Sequence, residues 1–225
     1  MNKGLVKDIL AYLRELRDNN NREWFAENKA RYQELKAGFE ELVDELIGRI
    51  AVWDGEVKNL TARDCVYRIY RDVRFSPDKS PYKTHFGAYI CGFRGKNSGR
   101  CGYYFHLEPD GCLLGGGCYC PAPPLLKRIR QDIYDNIEEF TAIIRNPEFK
   151  TEFPEIDQDG KLKKVPAPFP ADFSEGDLLK YKHYDILSRR PDVWFESGDM
   201  LEKVEVIFKK MVPYNRFFNY TIDNE

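Results

Sequence analysis

Arg68-Ile69-Tyr70-Arg71-Asp72-Val73-Arg74-Phe75-Ser76-Pro77-Asp78-Lys79-Ser80-Pro81-Tyr82-Lys83-Thr84-His85-Phe86-Gly87 interleaves charge with residues that belong in a core. Seven of its side chains are ionised at neutral pH, yet they sit among β-branched and aromatic neighbours. A solvated tail does not mix the two, so the stretch is read as folded, with its charges placed. Alternation from Cys65 to Phe75 predicts a strand with Cys65, Tyr67, Ile69, Arg71, Val73 and Phe75 on one face. That puts Arg71 on the more apolar face, where a guanidinium needs an acidic partner or a bulge that turns it outward. Ser76 to Pro81 is rich in turn formers. Tyr82 to Cys91 then predicts a second strand, antiparallel to the first.

Outward from this centre, Gly102–Leu107 and Cys112–Cys120 read as two further strands joined at Asp110-Gly111, a hairpin signal. Gly115-Gly116-Gly117 lacks the Lys-Ser/Thr of a phosphate loop and lies inside a strand pattern, so close backbone packing is the expectation. Upstream, Leu5, Ile9, Leu13 and Leu16 mark an amphipathic helix. Asn20 with Glu23 reads as a capping box for a second helix. Its stripe, from Phe25 through Tyr32, Phe39 and Leu46 to Ile50, predicts one rod of about 45 Å from Arg22 to Val52. Trp24 and Phe25 in its first turn are expected to pack. Downstream, Pro123-Pro124 opens a third helix that stops before Pro147. Prolines at 147, 154, 166, 168 and 170 make 147–174 the longest irregular segment. Lys180 to Leu187 reads as a short strand, and Asp199 with Glu202 starts a last helix ending near Met211, followed by an aromatic tail.

Helices at both ends and hairpin-linked strands between them argue for an α+β fold with a largely antiparallel sheet. The 225 residues are 42% hydrophobic and 32% charged. That is a globular composition, and the expectation is a single domain over 1–225. Within it lie a helical part at about 3–53, a strand-rich core at 63–121, a helix at 123–146, the Pro-rich loop and a C-terminal helix at 199–212.

A net charge of −2 gives no bulk attraction to nucleic acid or anionic membrane. Positions 63 to 100 nevertheless carry nine Arg/Lys, Arg94 among them, against three Asp, a local +6 that leaves −8 elsewhere. No apolar N-terminal run and no membrane-length segment is found, so a cytoplasmic protein is expected. Six cysteines without a secretory context predict free thiols. Cys118-Tyr119-Cys120 has no metal-ligand spacing, and neither metal nor cofactor is expected.

Arg68-x-x-Arg71-Asp72-x-Arg74-Phe75-x-x-Asp78-Lys79-x-x-Tyr82-Lys83 resembles the central motif of the bacterial and fungal proteins catalogued as domain of unknown function 2461. Asn20-Asn-Arg-Glu-Trp-Phe-x-x-Asn28-Lys-x-x-Tyr32 and Lys180-Tyr181-Lys182 extend the resemblance over the chain. It implies a soluble domain of this length and carries no activity, substrate or cofactor.

Three Arg, two Lys, two Asp and two Tyr fall within sixteen residues, an arrangement open to two readings. In one, Asp72 and Asp78 lock neighbouring cations into an ion-pair lattice. In the other, cations in excess of their acids bind a phosphate or carboxylate, because guanidinium forks match such oxygens and lysine adds a point charge. The candidate ligand-binding set is Arg68, Arg71, Asp72, Arg74, Asp78, Lys79, Tyr82, Lys83 and His85. The leading expectation is an anionic small ligand, with an enzyme acting on it as an extension. The alternative is an interaction module whose basic patch meets an acidic protein or nucleic acid. Lys83 beside Tyr82 offers to lower the phenol's pKa. His85, His106 and His183 stand apart in sequence, without nucleophile or metal spacing.

Overall fold

A computed structural model describes residues 4–74, 76–93 and 95–224. Phe75, the expected strand's last residue, and Arg94 of the basic stretch lie outside them. In chain order the helices are α1 (Leu5–Asp18), α2 (Arg22–Glu27), α3 (Lys29–Ala51), α4 (Ala62–Cys65), α5 (Pro123–Asp135), α6 (Ile137–Arg145), α7 (Pro147–Glu152), α8 (Asp192–Phe195) and α9 (Met200–Asp223). The strands are β1 (Phe86–Ile90), β2 (Tyr103–Leu107), β3 (Leu113–Cys118) and β4 (Tyr184–Arg189). They form one antiparallel sheet in the order β1-β2-β3-β4, as the α+β reading requires. No helix among the described residues is long and apolar enough to cross a membrane.

The chain divides into two compact units, one of residues 1–98, 104–114 and 189–205, the other of 99–103, 115–188 and 206–225. In the first, the stripes of α1 and α3 are buried, from Leu5 to Leu16 and from Tyr32 to Ile50. Period-2 alternation then sorts β2. Phe105 meets Phe39 of α3 and Phe195 of α8, and Phe86 of β1 meets Tyr32 and Phe39. The opposite faces of these strands carry Gly87 on β1 and Tyr104 and His106 on β2. In the second unit, α9 buries Phe208 against Tyr103, and Tyr214, Phe217 and Phe218 against Phe140 of α6.

The rod expected over Arg22–Val52 is broken at Asn28. Asn28 leaves helical geometry at φ −99°, ψ 11°, while its side chain caps the carbonyl of Trp24 at 2.9 Å. Asn21, not Asn20, is the N-cap, accepting the Trp24 amide at 2.9 Å. The helix expected over 123–146 is likewise two, separated at Asn136. Pro147 opens α7 within the segment expected to be irregular, its missing N–H costing nothing at a first helical position. The aromatic tail is helical to Asp223, with Pro213 inside α9. Its Tyr214, Phe217 and Phe218 recur at helical spacing and bury one face, which outweighs the hydrogen bond lost at Pro213.

The predicted strand over 65–75 is not formed. Cys65 ends α4, and the chain beyond it touches the 82–88 segment through two isolated bridges, Val66 with Ala88 and Tyr70 with Tyr82. Four steps separate Val66 from Tyr70, but six separate Tyr82 from Ala88. The two-residue surplus falls within Lys83–Gly87 and forces a bulge that breaks the ladder. The second predicted strand accordingly begins at Phe86 rather than Tyr82.

Candidate functional site

The two segments bridged at Val66 with Ala88 and Tyr70 with Tyr82 form an irregular ribbon, which is anchored by aromatic stacking. Tyr82 is buried, with its ring stacked on Phe25 at 3.9 Å and tilted against Tyr70 at 5.5 Å. Burial pushes the Tyr82 phenol up, so the lowering anticipated from Lys83 does not occur. Trp24 packs on Tyr12, and Phe25 on Tyr32, as expected of the first turn of that helix.

Three of the five candidate cations are held within the ribbon. Arg71 pairs with Asp78 and reaches the Ser76 hydroxyl at 3.4 Å, which supplies the acidic partner its position demanded. Arg74 forks onto Asp72, donating from Nη2 at 2.6 Å and from Nε at 2.9 Å. Lys79 donates to the Val73 carbonyl at 2.9 Å. Asp78 is pulled well below the carboxylate range by the Ser80 hydroxyl and amide and then by Arg71. Asp72 is lowered by Arg74. These contacts amount to two separate ion pairs and one lysine–carbonyl bond.

Arg68 and Lys83 differ. Neither side chain makes a direct ion pair with a carboxylate among the described residues, although the charge of Arg68 adds to the lowering of Asp72. Arg68 is exposed, and Lys83 is half-buried with its ammonium over the Tyr67 ring, 5.2 Å from the centroid. Burial and the charge of Arg68 push the Lys83 ammonium below its ordinary pKa.

The bulge that carries Lys83 also brings His85 in from the ribbon. Its ring lies 4.4 Å from that of His106 on β2, so two histidines read as solitary from sequence form a pair. His106 is buried. Its Nδ1 shares a 2.7 Å hydrogen bond with the Tyr104 hydroxyl, and its Nε2 lies 3.2 Å from Glu108 Oε2. The other Glu108 oxygen accepts the Thr84 hydroxyl at 2.9 Å. Gly87 faces Tyr104 across β1 and leaves it room, since a β-carbon there would stand 3.0 Å from the phenol oxygen and press on it. Burial, then His106, pushes His85 down to about 4. Burial also lowers His106, with Arg189 adding to the effect and Glu108 opposing it. Two imidazoles, a carboxylate and a phenol thus lie together, with the charge of Lys83 acting on the His85 end of the set.

Glu108, Tyr104, Thr84 and Arg189 were not among the residues singled out in the sequence, and His106 was named there only as an isolated histidine. The alternation Tyr104, His106, Glu108 against Tyr103, Phe105, Leu107 was the available signal. A further groove of about 1170 Å³ in the second unit, walled by Ile143, Phe149, Pro213 and Phe217, contains none of the candidate residues.

In the second unit, polar atoms of Asp157, His183 and Asp185 lie within 4.8 Å of one another. His183 Nδ1 accepts the Cys120 amide at 3.1 Å, which leaves the neutral ring's proton on Nε2. A ring held in that tautomer donates through Nε2 instead of ligating a metal. Asp185 is buried with Oδ1 lacking a hydrogen-bond partner, and burial followed by Asp157 pushes its carboxyl up to about 6. All six cysteines are free thiols, five buried and Cys120 exposed.

The family model described as "Conserved hypothetical protein (DUF2461)" matches residues 8–217. No curated protein and no solved structure matches the chain.

Proposed function

We propose that this chain, which belongs to the DUF2461 family, binds a phosphate- or carboxylate-bearing small molecule at Arg68 and Lys83 and acts on it as an enzyme. The observation that carries the reading is the contrast along one ribbon. Arg71 and Arg74 have carboxylates and Lys79 has a carbonyl, whereas Arg68 and Lys83 have neither among the described residues. A half-buried ammonium without a counter-ion is unfavourable, and an incoming anion relieves it. The guanidinium of Arg68 adds a planar fork for two oxygens.

The paired residues Arg71 and Asp78, with an arginine less exposed than that of the Asp72–Arg74 fork, serve in this reading as scaffold. They hold the ribbon's turn so that Lys83, Thr84 and His85 project from the bulge. His85 and His106 stand beside the bound anion in this reading, with Tyr104 and Glu108 fixing the His106 ring.

The test is a thermal-shift titration of the chelator-treated full chain with inorganic phosphate, pyrophosphate and citrate. Stabilisation by at least one anion is expected, lost in Arg68→Ala and Lys83→Met and kept in Arg74→Ala. Loss in Arg74→Ala alone, or no response to any anion, rejects the reading. Exposed Arg68, Arg74 and Lys79 also favour a second reading, a docking patch for an acidic macromolecule. A polyanion response that falls steeply with salt, without any response to small anions, identifies that case.

A further inference from the structure

We infer that His85, His106 and Glu108 form a binding site for one divalent transition-metal ion. One polar atom from each lies within 4.8 Å of the others. An ion with bonds of about 2.0–2.2 Å holds adjacent nitrogen and oxygen ligands roughly 3 Å apart. His106 Nε2 and Glu108 Oε2, at 3.2 Å, already stand at that separation. His85 completes the set by a small approach from its bulge, and its ring has no hydrogen-bond partner among the described residues.

The surroundings are those of a ligand set rather than of three chance neighbours. A ligating histidine is normally fixed by a hydrogen bond at its other ring nitrogen, and a ligating carboxylate by one at its free oxygen. Tyr104 holds His106 Nδ1, and Thr84 holds Glu108 Oε1. In the tautomer with the proton on Nδ1, the Nε2 lone pair of His106 faces a carboxylate oxygen, a contact that a cation between them turns from repulsive to favourable. The Asp157–His183–Asp185 trio lacks this arrangement, because its histidine spends Nδ1 on an amide.

Two imidazoles and one carboxylate are borderline donors, suited to Zn²⁺, Fe²⁺, Co²⁺ or Mn²⁺ rather than to Ca²⁺ or Mg²⁺. Three protein ligands leave coordination positions open. The site stands on its own ligands. Its link to catalysis rests on the anion reading above, in which the anion is held by Lys83, whose charge acts on His85. Cationic Lys83 and Arg189 oppose a bare metal ion, and an anion bound beside them removes that opposition. Metal and anion should then strengthen each other's binding by the same factor.

The test is titration of the metal-free full chain with Co²⁺, followed by visible absorption, and with Zn²⁺, followed by calorimetry. One equivalent is expected to bind, with affinity reduced at least about tenfold in His85→Ala and in Glu108→Gln and unchanged in His183→Ala. Mn²⁺ added to wild-type protein is expected to broaden the imidazole resonances of His85 and His106 and to spare those of His183, a readout that does not depend on a variant folding. Undiminished affinity in both ligand variants, loss in His183→Ala, or broadening at His183 alone overturns the assignment. Repeating the Zn²⁺ titration with saturating phosphate separates the two proposals. Metal binding without any anion stabilisation of the chelator-treated protein rejects only the anion reading, anion stabilisation of the chelator-treated protein without metal binding rejects only the metal site, and both without coupling reject the link between them.

Discussion

The side-chain amide of Asn20 hydrogen-bonds both backbone groups of Tyr82, donating to its carbonyl at 3.0 Å and accepting its amide at 3.1 Å. It does for Tyr82 what an adjacent strand would do. Two motifs that lie 62 residues apart are therefore one structural piece, closed by the stack of Phe25 on Tyr82. Lys83 follows Tyr82 directly, so the clamp also sets where the bulge begins.

Replacing Asn20 by Leu keeps the volume but strands a partly buried donor and acceptor. A loss of about 2 kcal/mol is expected from the desolvation of the two orphaned groups, read by urea unfolding. The anion response of the variant should weaken in parallel. Wild-type stability in Asn20→Leu would show that water replaces the clamp without loss.

Arg71 and Arg74 make similar pairs in different surroundings. The Arg71 side chain is 25% exposed and that of Arg74 76% exposed. Surface pairs contribute little, whereas a partly buried guanidinium also loses packing when it is truncated. Arg71→Ala is expected to lower the unfolding temperature measurably and Arg74→Ala to leave it unchanged. The reverse order in a thermal melt would mean that the Asp72–Arg74 fork holds the turn.

Asp185 gives stability a pH signature. Its folded pKa of about 6 lies above the unfolded value of about 3.9, so the native state binds the proton more tightly. The resulting stabilisation is complete below about pH 4 and is lost as pH rises through about 6. Asp157, His183 and the phenols of Tyr119 and Tyr214 face this carboxyl. Asp185→Asn removes the titration and should raise stability at pH 8 by about 2 kcal/mol. Denaturant midpoints at pH 5 and pH 8 give the check. An unchanged difference between the two pH values in the variant would assign the dependence to another group.

Gly117 has φ +86°, and a β-carbon there would stand 2.1 Å from the Tyr184 carbonyl oxygen and 2.9 Å from the Tyr214 ring. Both the backbone angle and the backbone neighbour forbid a side chain. Gly117→Ala should cost at least about 3 kcal/mol or abolish soluble expression. A folded variant with a near-native melting temperature would contradict the packing of β3 on β4.

The apolar stripes of α1 and α3 are repetitive, local signals, and they made those helices legible. The interruption at Asn28 was not, because a polar residue on a long stripe looks like a tolerated exception until its capping bond to Trp24 is seen. Cys65–Phe75 failed for a different reason. Its alternation is genuine, but Tyr70 is satisfied by ring contacts with Phe25 and Tyr82 instead of by a continuous ladder. The triple glycine was readable as close packing because no charged residue follows to suit a phosphate. The pairing of His85 with His106 was out of reach, since it depends on a surplus of two residues between bridges that no single sequence reveals. Arg68 and Lys83 were named among five cations, but only the partners of the other three set them apart.

The thiols have a practical corollary. Five are shielded by the fold, while Cys120 sits at the surface at φ +47° with its amide on His183. Under native conditions an alkylating dye therefore has one address on this chain, and a single fluorophore placed there would report on the Asp157–Asp185 neighbourhood without any cysteine having to be engineered away.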